Sequence, residues 1–227
     1  NITIDLIYGY PLLSDDKWIW NIEKATAFNI PHLSCYALTV EPKTLLHKMI
    51  KEHKTEDINP GKQSEQFLLL MQWMEKAGYE HYEISNFAKP GFRSKHNSSY
   101  WQGKKYLGIG PSAHSFDGSS RQWNISNNTI YTESINKGIL PAEKEILTPA
   151  QKLNEYIMTS LRTIEGLDLK KLDEAASLEL RNAGKRYIDS GKMIVNDEKI
   201  ILTKEGKLFA DGIAADLFLT DKSISNF

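Results

Sequence analysis

Residues 2–38, "ITIDLIYGYPLLSDDKWIWNIEKATAFNIPHLSCYAL", decide the fold class. Ile2, Ile4 and Leu6 alternate with Thr3, Asp5 and Ile7, the period of a strand, and Gly9 and Pro11 end the run in a turn. Ser14 followed by Asp15 and Asp16 is a helix start: a hydroxyl that can cap, then carboxylates at the positive end of the helix dipole. The helix predicted from Asp15 runs to Phe28, and after Pro31 the apolar "HLSCYAL" (32–38) reads as a second strand. Strand, helix, strand in that order implies a parallel sheet, open or part of a barrel, with binding groups at the carboxyl ends of its strands.

The same alternation continues outward. A connection holding "TVEPKTLLHK" (39–48) leads to an apolar helix predicted over Ser64–Lys76 and closed by Gly78, and "HYEIS" (81–85) reads as a third strand. Residues 93–116, "RSKHNSSYWQGKKYLGIGPSAHSF", show neither period. They are too aromatic for disorder and read as a long irregular binding loop. Within it "GIGP" (108–111) lacks the strand–helix context of a phosphate fingerprint and reads as a tight turn. Beyond it come a predicted helix over 148–163, short helices around 168–175 and 178–189, a hairpin over 193–203 and a closing helix ending near Phe218. That order is winged-helix-like. From Glu145 to Phe227 there are 12 basic and 14 acidic side chains, so the electrostatic footprint of a DNA-binding module is missing, and a packing or partner-docking role is expected.

The chain of 227 residues carries 28 basic and 29 acidic side chains, a net charge of −1 that attracts neither nucleic acid nor anionic lipid. No apolar run reaches transmembrane length and no basic-then-apolar leader precedes the first strand, so stable membrane insertion is not expected and a cytoplasmic setting is. The acceptor-like triplets at Asn97, Asn124 and Asn127 are frequent by chance and are set aside. The one cysteine, Cys35, reads as a small buried hydrophobe, and a single thiol can build neither a disulfide nor a self-contained iron–sulfur site. A start at Asn1, without methionine and inside a strand-like run, is expected of part of a longer protein.

Six motifs in order, "IDLIYGYP" (4–11), "YALTVEP" (36–42), "HYEISNFAKPG" (81–91), "HNSSYW" (96–101), "YLGIGPSAHSF" (106–116) and "LTKEGKLFAD" (202–211), resemble the oxygen-independent coproporphyrinogen III oxidase family of radical S-adenosylmethionine (radical SAM) proteins. Within it they look most like the heme chaperone (HemW-like) branch. The resemblance implies an α/β fold: the second part of a partial (β/α) TIM-like barrel over 1–92, a connecting segment over 93–144 and a mainly helical, winged-helix-like C-terminal domain over 145–227. It implies S-adenosylmethionine, a 4Fe–4S cluster and heme as cofactors. The three cysteines that hold the cluster, and the glycine-rich motif for S-adenosylmethionine, belong to strands that would precede this chain, so the chain by itself is expected to be inactive.

Implied function is that of a chaperone that binds heme and delivers it to an acceptor protein. The alternative is an oxidase that decarboxylates coproporphyrinogen III in heme biosynthesis. In either case the cofactor performs the radical chemistry, and no catalytic side chain is assigned to this chain. Asp5 is expected on the strand face opposite Ile4 and Leu6, pointing into a barrel, where a carboxylate must be paired or bound. A satisfied structural Asp and a ligand contact both fit that position. By resemblance Asp5, Thr39 and His114 fall where relatives contact S-adenosylmethionine. His96, Asn97 and Tyr100 are the heme contacts that "HNSSYW" implies, with His96 as candidate ligand of the heme iron. An imidazole beside flat apolar rings suits a heme, although a lone loop histidine is also an ordinary surface residue.

Overall fold

The computed structural model describes residues 1–220; residues 221–227, the end of the expected C-terminal unit, lie outside the described residues. The chain opens with β1 (Thr3–Tyr8), α1 (Asp15–Ala27) and β2 (His32–Ala37). Ser14 caps α1 by accepting from the Lys17 N–H, and the i, i+4, i+7 set Trp18, Ile22 and Ala25 is buried against the sheet. α2 (Leu45–Lys51) lies in the connection, followed by α3 (Pro60–Lys76). α3 starts four residues before the expected Ser64, because Asn59 caps it and Pro60, whose missing N–H costs nothing there, occupies the first turn.

β1 and β2 pair in parallel, Thr3 opposite His32 through Tyr8 opposite Ala37. The expected third parallel strand is instead a hairpin of β3 (Glu80–Glu83) and β4 (Asn86–Ala88), and β4 inserts antiparallel between β2 and β3, giving the order β1-β2-β4-β3. The reversal has a local cause. The Glu83 carboxylate accepts from the Ser85 N–H and the Asn86 amide, which closes the turn. Helices α1 and α3 cover one sheet face, where Trp18, Ile22, Leu33, Leu70, Met74 and Phe87 are almost fully buried. At about 1.5–3 kcal/mol per large apolar side chain, this core sustains the unit. Asp5 does lie on the other face, but exposed rather than enclosed, because the open sheet places no layer over β1 among the described residues.

The expected irregular loop contains α4 (Lys95–Trp101) and β5 (His114–Phe116). β5 opens a three-stranded antiparallel sheet with β6 (Ser120–Asn124) and β7 (Ala142–Ile146), joined by α5 (Asn128–Asn136). Two of the acceptor-like asparagines act structurally there: Asn127 caps α5, and the Asn124 amide donates to the Gly110 carbonyl at 2.9 Å.

α6 (Pro149–Leu161), with a Thr148–Gln151 capping box, begins the last unit. The expected short helix around 168–175 is a two-residue strand, β8 (Leu167–Asp168), and a single 3-10 turn at 169–171. α7 (Glu174–Asp189) starts where Asp173 caps it, and the hairpin is β9 (Met193–Asn196) with β10 (Lys199–Leu202). β8 adds to β10, so the wing has three strands. α8 (Lys204–Lys207) and α9 (Ala210–Asp216) close the second core of Leu153, Ile157, Leu161, Leu180, Ile200 and Ile213. Backbone hydrogen bonds join the two units beside Ile84. The Ile84 N–H donates to the Arg162 carbonyl and the Ile164 N–H to the Tyr82 carbonyl, each at 3.0 Å. No helix among the described residues is long and apolar enough to cross a membrane.

Candidate functional site

Where the three sheets meet lies a cavity of about 1150 Å³. Its first wall is α4. Ser94 caps this helix by accepting from the Asn97 N–H at 3.1 Å, and the helical spacing i, i+3, i+4 turns Asn97, Tyr100 and Trp101 into the cavity. The opposite wall is one face of α6, Lys152, Glu155, Tyr156 and Thr159, with Arg162 just beyond the helix. Tyr106, Phe116 and Arg121 come from the β5–β6 side, while Tyr36, Tyr82 and Glu83 form the back.

The aromatic rings are in contact with one another. His96 meets Tyr100 edge-on at 5.0 Å, Tyr100 meets Tyr106 at 4.8 Å, and Tyr106 lies 6.1 Å from Phe116. The Arg121 guanidinium sits over Phe116, and that of Arg162 over Trp101 at 5.2 Å. The indole N–H of Trp101 is buried without an acceptor among the described residues. A ligand with a polar edge would relieve that desolvated donor.

The polar back wall is fixed. The Tyr82 hydroxyl accepts from the Ser94 N–H and lies 2.7 Å from His32 Nε2, whose Nδ1 lies 2.8 Å from the Thr3 hydroxyl. Burial pushes the Tyr82 phenol up to about 12 and His32 below the ordinary imidazole range, the latter against the pull of the Asp5 charge. Tyr82 thus stays a neutral phenol at physiological pH.

The structure sorts the expected site residues into groups. Asn97 and Tyr100 line the cavity; His96, on the same helix, is exposed and outside the lining, one ring contact away. Asp5 on β1 and Thr39 just past β2 are exposed, and His114 on β5 is exposed and paired across the sheet with Trp123; none of the three lines the cavity. Sequence reasoning missed Tyr82, Tyr156, Arg121 and Arg162. Only Tyr156 carried a signal, as a ring on the polar side of the amphipathic stretch 148–163.

Cys35 is buried in β2, where burial, and secondarily the Asp5 charge, pushes its thiol up. A thiol held protonated is neither a reactive nucleophile nor a ready thiolate ligand. With one thiol and, among the described residues, no group of three His, Cys, Asp or Glu side chains placed for a metal, this chain does not fit an iron–sulfur cluster.

Comparison with known proteins agrees with this architecture. Residues 147–209 match the HemN C-terminal domain. The heme chaperone HemW of Mycobacterium tuberculosis is 29% identical over 96% of this chain and 55% of its own length. That of Bacillus subtilis is 29% identical over 94% of this chain and 58% of its own. In three dimensions the coproporphyrinogen III oxidase HemN of Escherichia coli, a radical SAM enzyme, superposes with a TM-score of 0.73 at 19% identity over 95% of this chain and 54% of its own. The chain thus spans about half the length of the relatives it matches. It is similar in sequence to the HemW heme chaperones and in fold to HemN over nearly its whole length, and its residues 147–209 match the HemN C-terminal domain.

Proposed function

We propose that this chain forms the heme-holding part of a heme chaperone, with the aromatic cavity as the seat of the macrocycle and an acceptor protein as the recipient. One observation carries the reading: Asn97, Tyr100 and Trp101 on α4 and Tyr156 on α6 line one cavity of about 1150 Å³. Ordinary small-molecule pockets hold about 300–1,000 Å³, so the space suits a large flat ligand, and rings on both walls can cover its faces. His96, exposed at the end of the aromatic chain, is the residue that would ligate the heme iron.

S-adenosylmethionine is a second proposed ligand, contacted by Asp5, Thr39 and His114. When bound beside a cluster it supplies radical chemistry; in this chain the residues would only hold and orient it. The names of the HemW relatives support the chaperone reading over coproporphyrinogen oxidation.

Titration of the full-length protein with heme tests the proposal. Saturable binding is expected, weakened about tenfold or more by Trp101→Ala or Tyr100→Ala, since each removes an aromatic face. His96→Ala is expected to shift the heme absorption band, whereas His47→Ala and His53→Ala leave it in place. An unchanged spectrum in His96→Ala removes His96 as ligand. Turnover of coproporphyrinogen without heme transfer would move the assignment to the oxidase branch.

A further inference from the structure

Charge is distributed unevenly around the cavity. Its lining holds six cations, Lys104, Arg121, Lys152, Arg162, Lys171 and Lys199, against four carboxylates. Every carboxylate is already engaged: Glu83 by Arg162 at 2.9 Å, Glu155 by Arg121 at 2.6 Å, Glu165 by Arg93 at 2.6 Å, and Asp168 by the Lys170 N–H at 3.0 Å. These pairs use both lining arginines and leave the four lysines without an ion pair among the described residues. In a chain of net charge −1, a surplus of cations on the wall of its aromatic cavity selects for an anionic ligand.

Two of the four lysines are placed around a ring. Lys152 and Tyr156 are i and i+4 on the cavity face of α6, and the Lys171 ammonium lies 5.4 Å from the Tyr156 ring centroid. Lys152 and Lys171 thus both border the part of the cavity where the Tyr156 ring lies, Lys171 over the ring itself. Lys152 is half-buried on that wall, its stem held by the surface of α6.

We propose that Lys152 and Lys171 form a carboxylate-binding subsite that holds the anionic side chains of a flat apolar ligand whose body lies against Tyr156. The inference rests on the heme reading and extends it. The macrocycle's carboxylates would lie beside Lys152 and Lys171, with its faces toward the rings of α4 and α6.

The test uses the full-length protein, heme and heme dimethyl ester, which keeps the iron and the macrocycle and removes the charges. Wild type is expected to bind heme at least about tenfold more tightly than the ester, the size of one charge-assisted contact. Lys152→Gln/Lys171→Gln should erase that preference mainly by weakening heme. Lys137→Gln/Lys185→Gln, which removes the same two charges away from the cavity, should retain it. Melting temperatures recorded for both double variants separate lost binding from lost folding. Equal affinity of wild type for the two ligands, or a preference that survives in Lys152→Gln/Lys171→Gln, overturns the subsite and leaves the heme reading standing. Binding of neither ligand by wild type overturns the heme reading and this inference with it.

Discussion

Arg162 Nε donates to Glu83 Oε1 at 2.9 Å, and the Glu83 side chain has no exposure to solvent. The pair spans the two cores. Glu83 ends β3 of the first sheet, Arg162 caps α6 of the last unit, and the backbone bonds of Ile84 and Ile164 flank them. Arg162 also reaches Asp211 at 2.7 Å and covers Trp101, so one guanidinium links the sheet, the closing helix and the cavity wall.

Removal of one partner from such a pair strands a buried charge. Arg162→Ala is expected to lower stability by about 3–5 kcal/mol, and Glu83→Leu with Arg162→Met to recover a good part of that loss. Urea unfolding of Glu83→Leu, Arg162→Met and the double variant closes a cycle. A coupling near zero would show that the pair does not tie the cores together.

A second contact across the same joint makes stability depend on pH. His81 stacks on Phe87 at 4.2 Å, donates from Nε2 to the Ile84 carbonyl and accepts from Lys207 at Nδ1. Burial, aided by the Lys207 charge, pushes His81 down to about 3 from 6.5, so the folded chain keeps it neutral where the unfolded chain charges it. Between those values the unfolded state binds the extra proton. This contribution is complete above about pH 6.5 and is lost as pH falls toward 3, with a slope of up to about 1.4 kcal/mol per pH unit. Urea midpoints measured across that range should fall less steeply in His81→Gln than in wild type. Parallel slopes would remove His81 as the cause.

Lys207 acts in the opposite range. Burial lowers it to about 8 from 10.5, so the unfolded chain holds the proton longer and stability should rise as pH increases between those values. Lys207→Met is expected to flatten that rise. A rise of unchanged size in the variant would assign it elsewhere.

Gly108 is set by space rather than by backbone angle. A Cβ there would lie 2.1 Å from the His114 carbonyl oxygen, and its N–H donates to the Ser115 hydroxyl at 3.0 Å. Gly108→Ala must push β5 outward, at about 1–3 kcal/mol, and β5 carries Phe116 into the cavity wall. Gly212→Ala, in α9 with open space around it, should instead stabilise by about 0.5–1 kcal/mol. Thermal unfolding of both variants should therefore give opposite signs.

What the sequence disclosed follows the reach of each signal. Ser14 and its acidic neighbours marked α1 because a cap and a dipole act within one turn, and the hairpin over 193–203 showed itself for the same local reason. Pairing partners carry no such local mark. "HYEIS" announced a strand, but the insertion of β4 beside β2 depends on a turn that Glu83 closes with Ser85 and Asn86. α4 escaped notice because its seven residues are too short for a period and hold three aromatic or imidazole rings. At the site, Asn97 and Tyr100 were legible through "HNSSYW". Tyr82, Arg121 and Arg162 were not, since only the meeting of three sheets makes them neighbours.

Asp5 separates ligand binding from folding. Its carboxylate is exposed, forms no ion pair among the described residues and lies across from Ser34 in the parallel register. A surface carboxylate without a partner contributes little to stability, so Asp5→Ala should change the unfolding free energy by no more than about 0.5 kcal/mol. The strand nevertheless presents it on the open face, two residues before Ile7 and next to the ladder that holds His32 and Cys35. If that face holds S-adenosylmethionine, the same substitution should weaken its binding to the full-length protein about tenfold or more, the cost of one charge-assisted hydrogen bond. Calorimetric titration beside a melting curve reads both quantities on one preparation. Unchanged affinity with a fall of several degrees in melting temperature would make Asp5 a structural residue and leave the open face without an assigned ligand.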